Sequence, residues 1–154
     1  MNILAILLAL TIPYRVITWE DFKGVPNPQD VKNGITGQLM DRWTLTDSTD
    51  DGKVYFTLNW EIVQERSWVT NDDPRLLAHE QCHADISMLW YRKFEKVLCQ
   101  YQGCPERQKK KVIALFNYYW KESRGLQVLF DRDSRHGANA VVEKIYEHKI
   151  ARDL

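Results

Sequence analysis

At 154 residues the chain has the length of one ordinary domain. With 44% hydrophobic and 27% charged residues it has enough apolar side chains for a core, and its composition is not that of a disordered chain. Lys plus Arg and Asp plus Glu both number 21, a balance that argues against a dedicated nucleic-acid binder, which carries a basic excess.

Met1 to Ile12 holds no charge, and the first charged residue is Arg15. The apolar run Ile3–Ile12 is too short to span a bilayer, which takes about 20 residues. It reads as the apolar core of a secretory signal peptide, with a buried first strand or helix as the other reading. Residues 1–14 are therefore expected to be a leader and 15–154 one domain of a secreted, periplasmic or envelope protein. No integral membrane segment is expected beyond that leader.

The next stretch reads as β-rich. Val16–Trp19 is a short strand candidate, followed by the turn-forming Gly24-Val25-Pro26-Asn27-Pro28. Ile35–Trp43 and Lys53–Val63 alternate with β-branched and aromatic residues, and Asp47–Gly52 between them reads as a turn. Ser67-Trp68-Val69 fits a further short strand.

From residue 74 the pattern is helical. Asn71-Asp72-Asp73-Pro74 is a helix start, with an acidic cap and Pro in the first turn. This helix is expected to run to about Leu98. A second is expected from near Pro105-Glu106 to beyond Phe130, and a third over Ala140–Ile150. The fold class is α+β: a small antiparallel sheet followed by packed helices. Cys99 and Cys104 flank a turn and are either a disulfide staple or two reduced thiols. Cys82 reads as a small buried apolar residue. Lys109-Lys110-Lys111 reads as a solvated helix face, Tyr118-Tyr119-Trp120 as core and flank, and His148 as exposed.

The chemistry is expected on the first helix, where residues 79–83 read His79-Glu80-Gln81-Cys82-His83, an H-E-x-x-H motif. Residues four apart share a helix face, so both imidazoles can reach one metal ion. Two neutral imidazoles and one more ligand leave Zn²⁺ an open position for water, on which Glu80 can act as general base. The amphipathic helix around them (Leu76, Leu77, Ala84, Ile86, Leu89) would bury His and Glu, and buried polar groups need partners.

The third ligand must come from elsewhere, and Phe130-Asp131-Arg132-Asp133-Ser134-Arg135-His136-Gly137 is the best supply. The apolar stripe of the second helix passes through Val112, Leu115, Tyr119, Leu126, Leu129 and Phe130. Continued at about 100° per residue it runs through Asp133, with His136 roughly 60° to one side and Asp131 nearly opposite. This arithmetic ranks His136 first, Asp133 second, as ligand or as hydrogen-bond partner of one, and Asp131 third.

Four segments together resemble a bacterial family of predicted secreted zinc-dependent proteases. Thr18-Trp19-Glu20-Asp21-Phe22-Lys23-Gly24-Val25-Pro26 is similar to its opening W-x-D-F-x-G-x-P. Ser67-Trp68-Val69 looks like its S-W-V strand, and Leu77–Ile86 like its L-x-H-E-Q-x-H-x-D-I helix. Residues 130–137 resemble its Y-D-x-E-T-x-H-G, with Phe130 for Tyr, Asp133 for Glu and Ser134 for Thr. The resemblance implies a zincin-like metallopeptidase acting on a peptide or protein substrate, with zinc held by His79, His83 and a third residue and Glu80 as base. In the family, a Tyr at position 130 could stabilise an oxyanion, a role that Phe130 cannot fill. Trp68 is expected either to line the cleft or to lie in the core. Two other readings stay open: a metal-dependent amidase on cell-wall peptides, and a non-catalytic zinc-containing binding module.

Overall fold

The computed structural model describes residues 13–154. The expectation of an apolar leader falls on residues 1–14 and thus lies, but for its last two residues, outside the described ones. The architecture is α+β: small antiparallel sheets followed by three long packed helices.

After the short helix α1 (Pro28–Lys32), strand β1 (Gly37–Gln38) pairs antiparallel with β4 (Trp68–Val69). Strands β2 (Asp41–Asp50) and β3 (Lys53–Ile62) form a long hairpin, and β5 (Cys104–Pro105) adds to the far end of β3. The helices are α2 (Pro74–Leu98), α3 (Lys109–Ser134) and α4 (Ala140–Asp153). The starts of α2 and α4 follow local chemistry: the side chains of Asp73 and Asn139 accept from Arg75 and Val142 backbone N–H groups, and Pro74 occupies the first turn.

The hairpin corrects the expected turn at Asp47–Gly52. Pairing continues to Asp50↔Lys53, and only Asp51-Gly52 turns, both at positive φ. A two-residue Asp-Gly loop matches the twist of the paired strands. The polar residues before it form the exposed end of β2, where pairing with β3 overrides composition. The expected strand Val16–Trp19 is also absent. Here Trp19–Asp21 is a 3₁₀ turn, in which Thr18 N–H donates to Asp21 Oδ2 at 3.0 Å and Asp21 N–H to Thr18 O at 3.0 Å. A local capping interaction is available to this segment, and among the described residues no strand pairs with it.

Helix α2 is the middle layer. Strand β3 alternates strictly, so Val54, Phe56, Leu58, Trp60 and Ile62 form one inward face. Ala84, Met88, Tyr91, Phe94 and Leu98 of α2 pack on that face. The opposite side of α2 presents Cys82, Ile86 and Leu89 to Phe130 of α3 and Ile150 of α4. One polar cluster stitches sheet to helix: Trp43 and Trp60 Nε1–H donate to Ser87 Oγ at 2.9 and 3.0 Å, and Ser87 donates to Asp41.

Cys82 is buried, as expected, whereas Cys99 and Cys104 are free thiols, Cys104 being taken up in β5 beside Val54. Trp68 is buried in the interior and does not line the cleft. No helix among the described residues is long and apolar enough to cross a membrane.

Candidate metal centre

His79 and His83 stand one turn apart on α2 and point between α2 and α3. Asp131, near the end of α3, meets them there. His83 Nε2 lies 2.9 Å from Asp131 Oδ1, His79 Nε2 lies 3.2 Å from the same oxygen, and the two Nε2 atoms are 3.3 Å apart. Tetrahedral ligands about 2.0–2.1 Å from a zinc ion stand roughly 3.3 Å from one another. The three edges of this triangle approach that spacing, and a donor set of two imidazoles and one carboxylate suits zinc. His79, His83 and Asp131 are thus a cluster that could hold a metal ion.

Asp131 stood last in the helical arithmetic, and the reason lies in how α3 packs. In its C-terminal half the buried positions are Ser123, Gln127, Phe130 and Ser134, whereas Val128 and Leu129 are exposed. The buried side of this half is mostly small and polar. The helix is rotated away from the stripe that hydropathy picks out, and Asp131, one turn beyond Gln127, comes to the seam. Asp133 is directed elsewhere: its carboxylate accepts from Tyr146 Oη at 2.8 Å and from Arg132. His136 follows the end of α3 in a left-handed turn, with Arg135 and His136 at φ 53° and 51°. Its Nδ1 lies 3.7 Å from Asp131 Oδ1 and its side chain is 71% exposed, so it sits at the rim outside the triad. Cys82 packs among apolar side chains on the other side of α2 and supplies no further ligand.

Two partners were not legible in the sequence. Glu143, buried on α4, lies with Oε1 2.8 Å from His79 Nδ1. An imidazole that donates from Nδ1 to a carboxylate turns the lone pair of Nε2 outward, which is the tautomer a metal needs. Gly137 lies beside this pair at φ 86°, a backbone conformation that favours glycine; a Cβ there would meet Glu143 Oε1 at 3.5 Å and His79 Nδ1 at 3.6 Å, ordinary contact distances. The second partner is a backbone group. Leu39 N–H, just after β1, donates to Glu80 Oε2 at 2.8 Å. Phe130 is fully buried and stacks on His79 with ring centroids 4.7 Å apart. Position 130 therefore supports the imidazole from behind and does not face the cleft.

Burial opposes charge on His79, but hydrogen bonds to Asp131 and Glu143 and the nearby Glu80 outweigh it and hold the imidazole above its usual range. Burial likewise opposes charge on Asp131, but its bonds to His79 and His83 hold it well below the usual carboxylate range. Glu80 goes the other way: burial pushes it up, and the charges of His83 and His79 and the Leu39 N–H only partly offset that.

The resembling segments converge here. Gly24 N–H donates to Ser67 O at 2.8 Å, and Ser67 Oγ accepts from Met40 N–H at 2.9 Å, which ties the first two segments to the chain just after β1. Ile17 N–H donates to Gln81 Oε1 at 2.8 Å, tying the residue before the first segment to α2. A cleft of about 700 Å³ opens over the triad, walled by residues 36–39 on one side and by Arg124, Gln127 and Asp131 of α3 on the other. Comparison with protein-family models, with curated proteins and with solved structures finds no match.

Proposed function

We propose that the protein is a zinc-dependent, zincin-like metallopeptidase acting outside the cytoplasm, with His79, His83 and Asp131 holding the metal and Glu80 as the general base. The observation that carries this reading is the triangle of donor atoms with a buried glutamate next to it on the same helix. The apolar N-terminal run and the resemblance to secreted proteases support the exported location.

When bound, zinc supplies a Lewis acid for the substrate carbonyl and lowers the pKa of a water. The chain's own residues do the rest. Glu80 accepts Leu39 N–H on Oε2, which leaves Oε1 to take a proton from the attacking water and return it to the leaving amine. Glu143 keeps His79 in its working tautomer, and the Phe130 ring fixes its plane. Among the described residues, strand β1 is paired with β4 only, and Gly37 and Gln38 line the cleft. An extended peptide is bound by adding to the other edge of β1, so main-chain hydrogen bonds supply affinity.

The test is to measure bound zinc and hydrolysis of casein and of peptidoglycan-derived peptides for the wild type and Glu80→Gln. Retained zinc with lost hydrolysis is expected. Unchanged hydrolysis in Glu80→Gln would refute the reading. Cleavage of the cell-wall peptides alone would move the assignment to an amidase.

A further inference from the structure

The α3 wall of the cleft carries a second polar feature that the metal centre does not use. Arg124 and Gln127 precede Asp131 by seven and four residues on the same helix, and all three line the cleft. The Arg124 guanidinium is held on three sides. Its Nη1 donates to Asp41 Oδ1 at 3.4 Å and to Gln127 Oε1 at 3.3 Å, and its Cζ lies 5.4 Å from the centroid of the Trp120 ring. Among the described residues it donates through Nη1 only, so Nε and Nη2 keep their hydrogens for another acceptor.

Gln127 sharpens the point. Its Nε2 is buried without a hydrogen-bond partner. A buried unpartnered amide donor is costly, and a leucine of similar volume would avoid that cost. What the glutamine adds is the Oε1 acceptor that fixes Arg124. Apart from the metal-site side chains and His136, the ionisable groups among the described residues that line the cleft are Arg124 and Arg135 against one acid, Asp30.

We propose that Arg124, positioned by Gln127, Asp41 and Trp120, is a specificity determinant that binds a substrate carboxylate through its free edge. This rests on the peptidase reading and names its substrate class: peptides with a carboxylate at a set distance from the scissile bond. Seven helical residues separate Arg124 from Asp131, about 10 Å along the axis. An extended peptide covers that in about three residues. A planar, pre-held guanidinium recognises carboxylates bidentately and loses little freedom on binding. The carboxylate comes from an acidic side chain or from a free chain terminus.

The experiment uses the zinc-loaded protein and internally quenched peptides of one sequence. Asp or Asn is placed at each of positions two to four from the scissile bond, and a further pair ends in a free acid or an amide. The wild type is expected to prefer Asp over Asn by roughly tenfold or more in kcat/KM at one register about three residues out, with the free acid preferred only if the terminus is the source. In Arg124→Gln the ratio falls to about one. In Arg124→Lys, which keeps the charge without the fork, and in Gln127→Leu, which frees the guanidinium, it falls part of the way. Binding of the same peptides to zinc-loaded Glu80→Gln, with and without Arg124→Gln, is read by fluorescence anisotropy. A ratio that survives Arg124→Gln, or no preference at any register in either assay, overturns the proposal. Failure of the wild type to cleave any peptide refutes the peptidase reading, and the binding ratio then decides this one by itself.

Discussion

Replacing Glu143 by leucine is expected to weaken zinc binding without unfolding the protein. Glu143 Oε1 lies 2.8 Å from His79 Nδ1, and the residue is only 8% exposed, so water does not replace the lost acceptor readily. A hydrogen bond to a charged group contributes about 1.5–3 kcal/mol, because its loss leaves a buried donor unpaired. Converted at about 1.4 kcal/mol per decade, that is roughly 10- to 150-fold in affinity, in line with the 10- to 100-fold known for partners of metal-bound histidines. Titration against a chromophoric chelator measures it directly, with circular dichroism to confirm that α2 and α4 persist. Glu143→Gln keeps an acceptor oxygen and is expected to lose less than about tenfold. A zinc affinity for Glu143→Leu within about twofold of wild type, in a folded protein, would refute the tautomer argument and with it the role given to α4.

Three further outcomes follow from the geometry. Asp131→Ala is expected to lose most bound zinc, whereas Asp133→Ala and His136→Ala retain it; zinc content by atomic absorption distinguishes them, and retention in Asp131→Ala would remove the third ligand. Gly37→Ala places a Cβ 3.0 Å from Leu76 Cδ1 and 3.3 Å from Glu80 Oε1, so turnover should fall at least about tenfold while zinc stays bound; wild-type kcat would show that Glu80 tolerates the crowding. Asp21 supplies the pH dependence. Burial pushes its carboxyl up, but Gln64, Thr18 N–H and Arg15 outweigh that and hold it below its usual value. The unfolded chain therefore takes up this proton more readily than the folded one, so the contribution is present above about pH 4 and is lost as pH falls through the lowered folded pKa. Urea midpoints should show Asp21→Asn destabilised by about 1–3 kcal/mol at pH 7, with the gap from wild type closing below about pH 4; a gap independent of pH would contradict it.

The parts that short-range rules govern were legible in the sequence. The acidic cap and Pro74 place the start of α2, and the i, i+4 spacing of His79 and His83 puts both rings on one face whatever surrounds the helix. Strict alternation over β3 identifies its buried face. Where a local interaction and a periodic pattern competed, the pattern misled. Thr18 and Asp21 closed a turn where β-branched residues suggested a strand, and pairing with β3 carried β2 through a segment composed like a loop.

The third corner of the His79–His83–Asp131 cluster belonged to the tertiary structure alone. A helix's sequence specifies the angles between its side chains but not its rotation against a neighbour. That rotation follows from how two surfaces pack, and α3 buries Ser123, Gln127 and Ser134, a face that its apolar stripe does not reveal. The same rotation brings Asp131 to His79 and His83 and leaves His136 at the rim. Glu143 and Leu39 N–H, from elements 64 and 41 residues away from their partners, arrive by packing for which no spacing rule exists. The sequence by itself determined which helix carries His79, Glu80 and His83 and that the two histidines share a face; the packing of α3, α4 and β1 around that helix decided which groups join them.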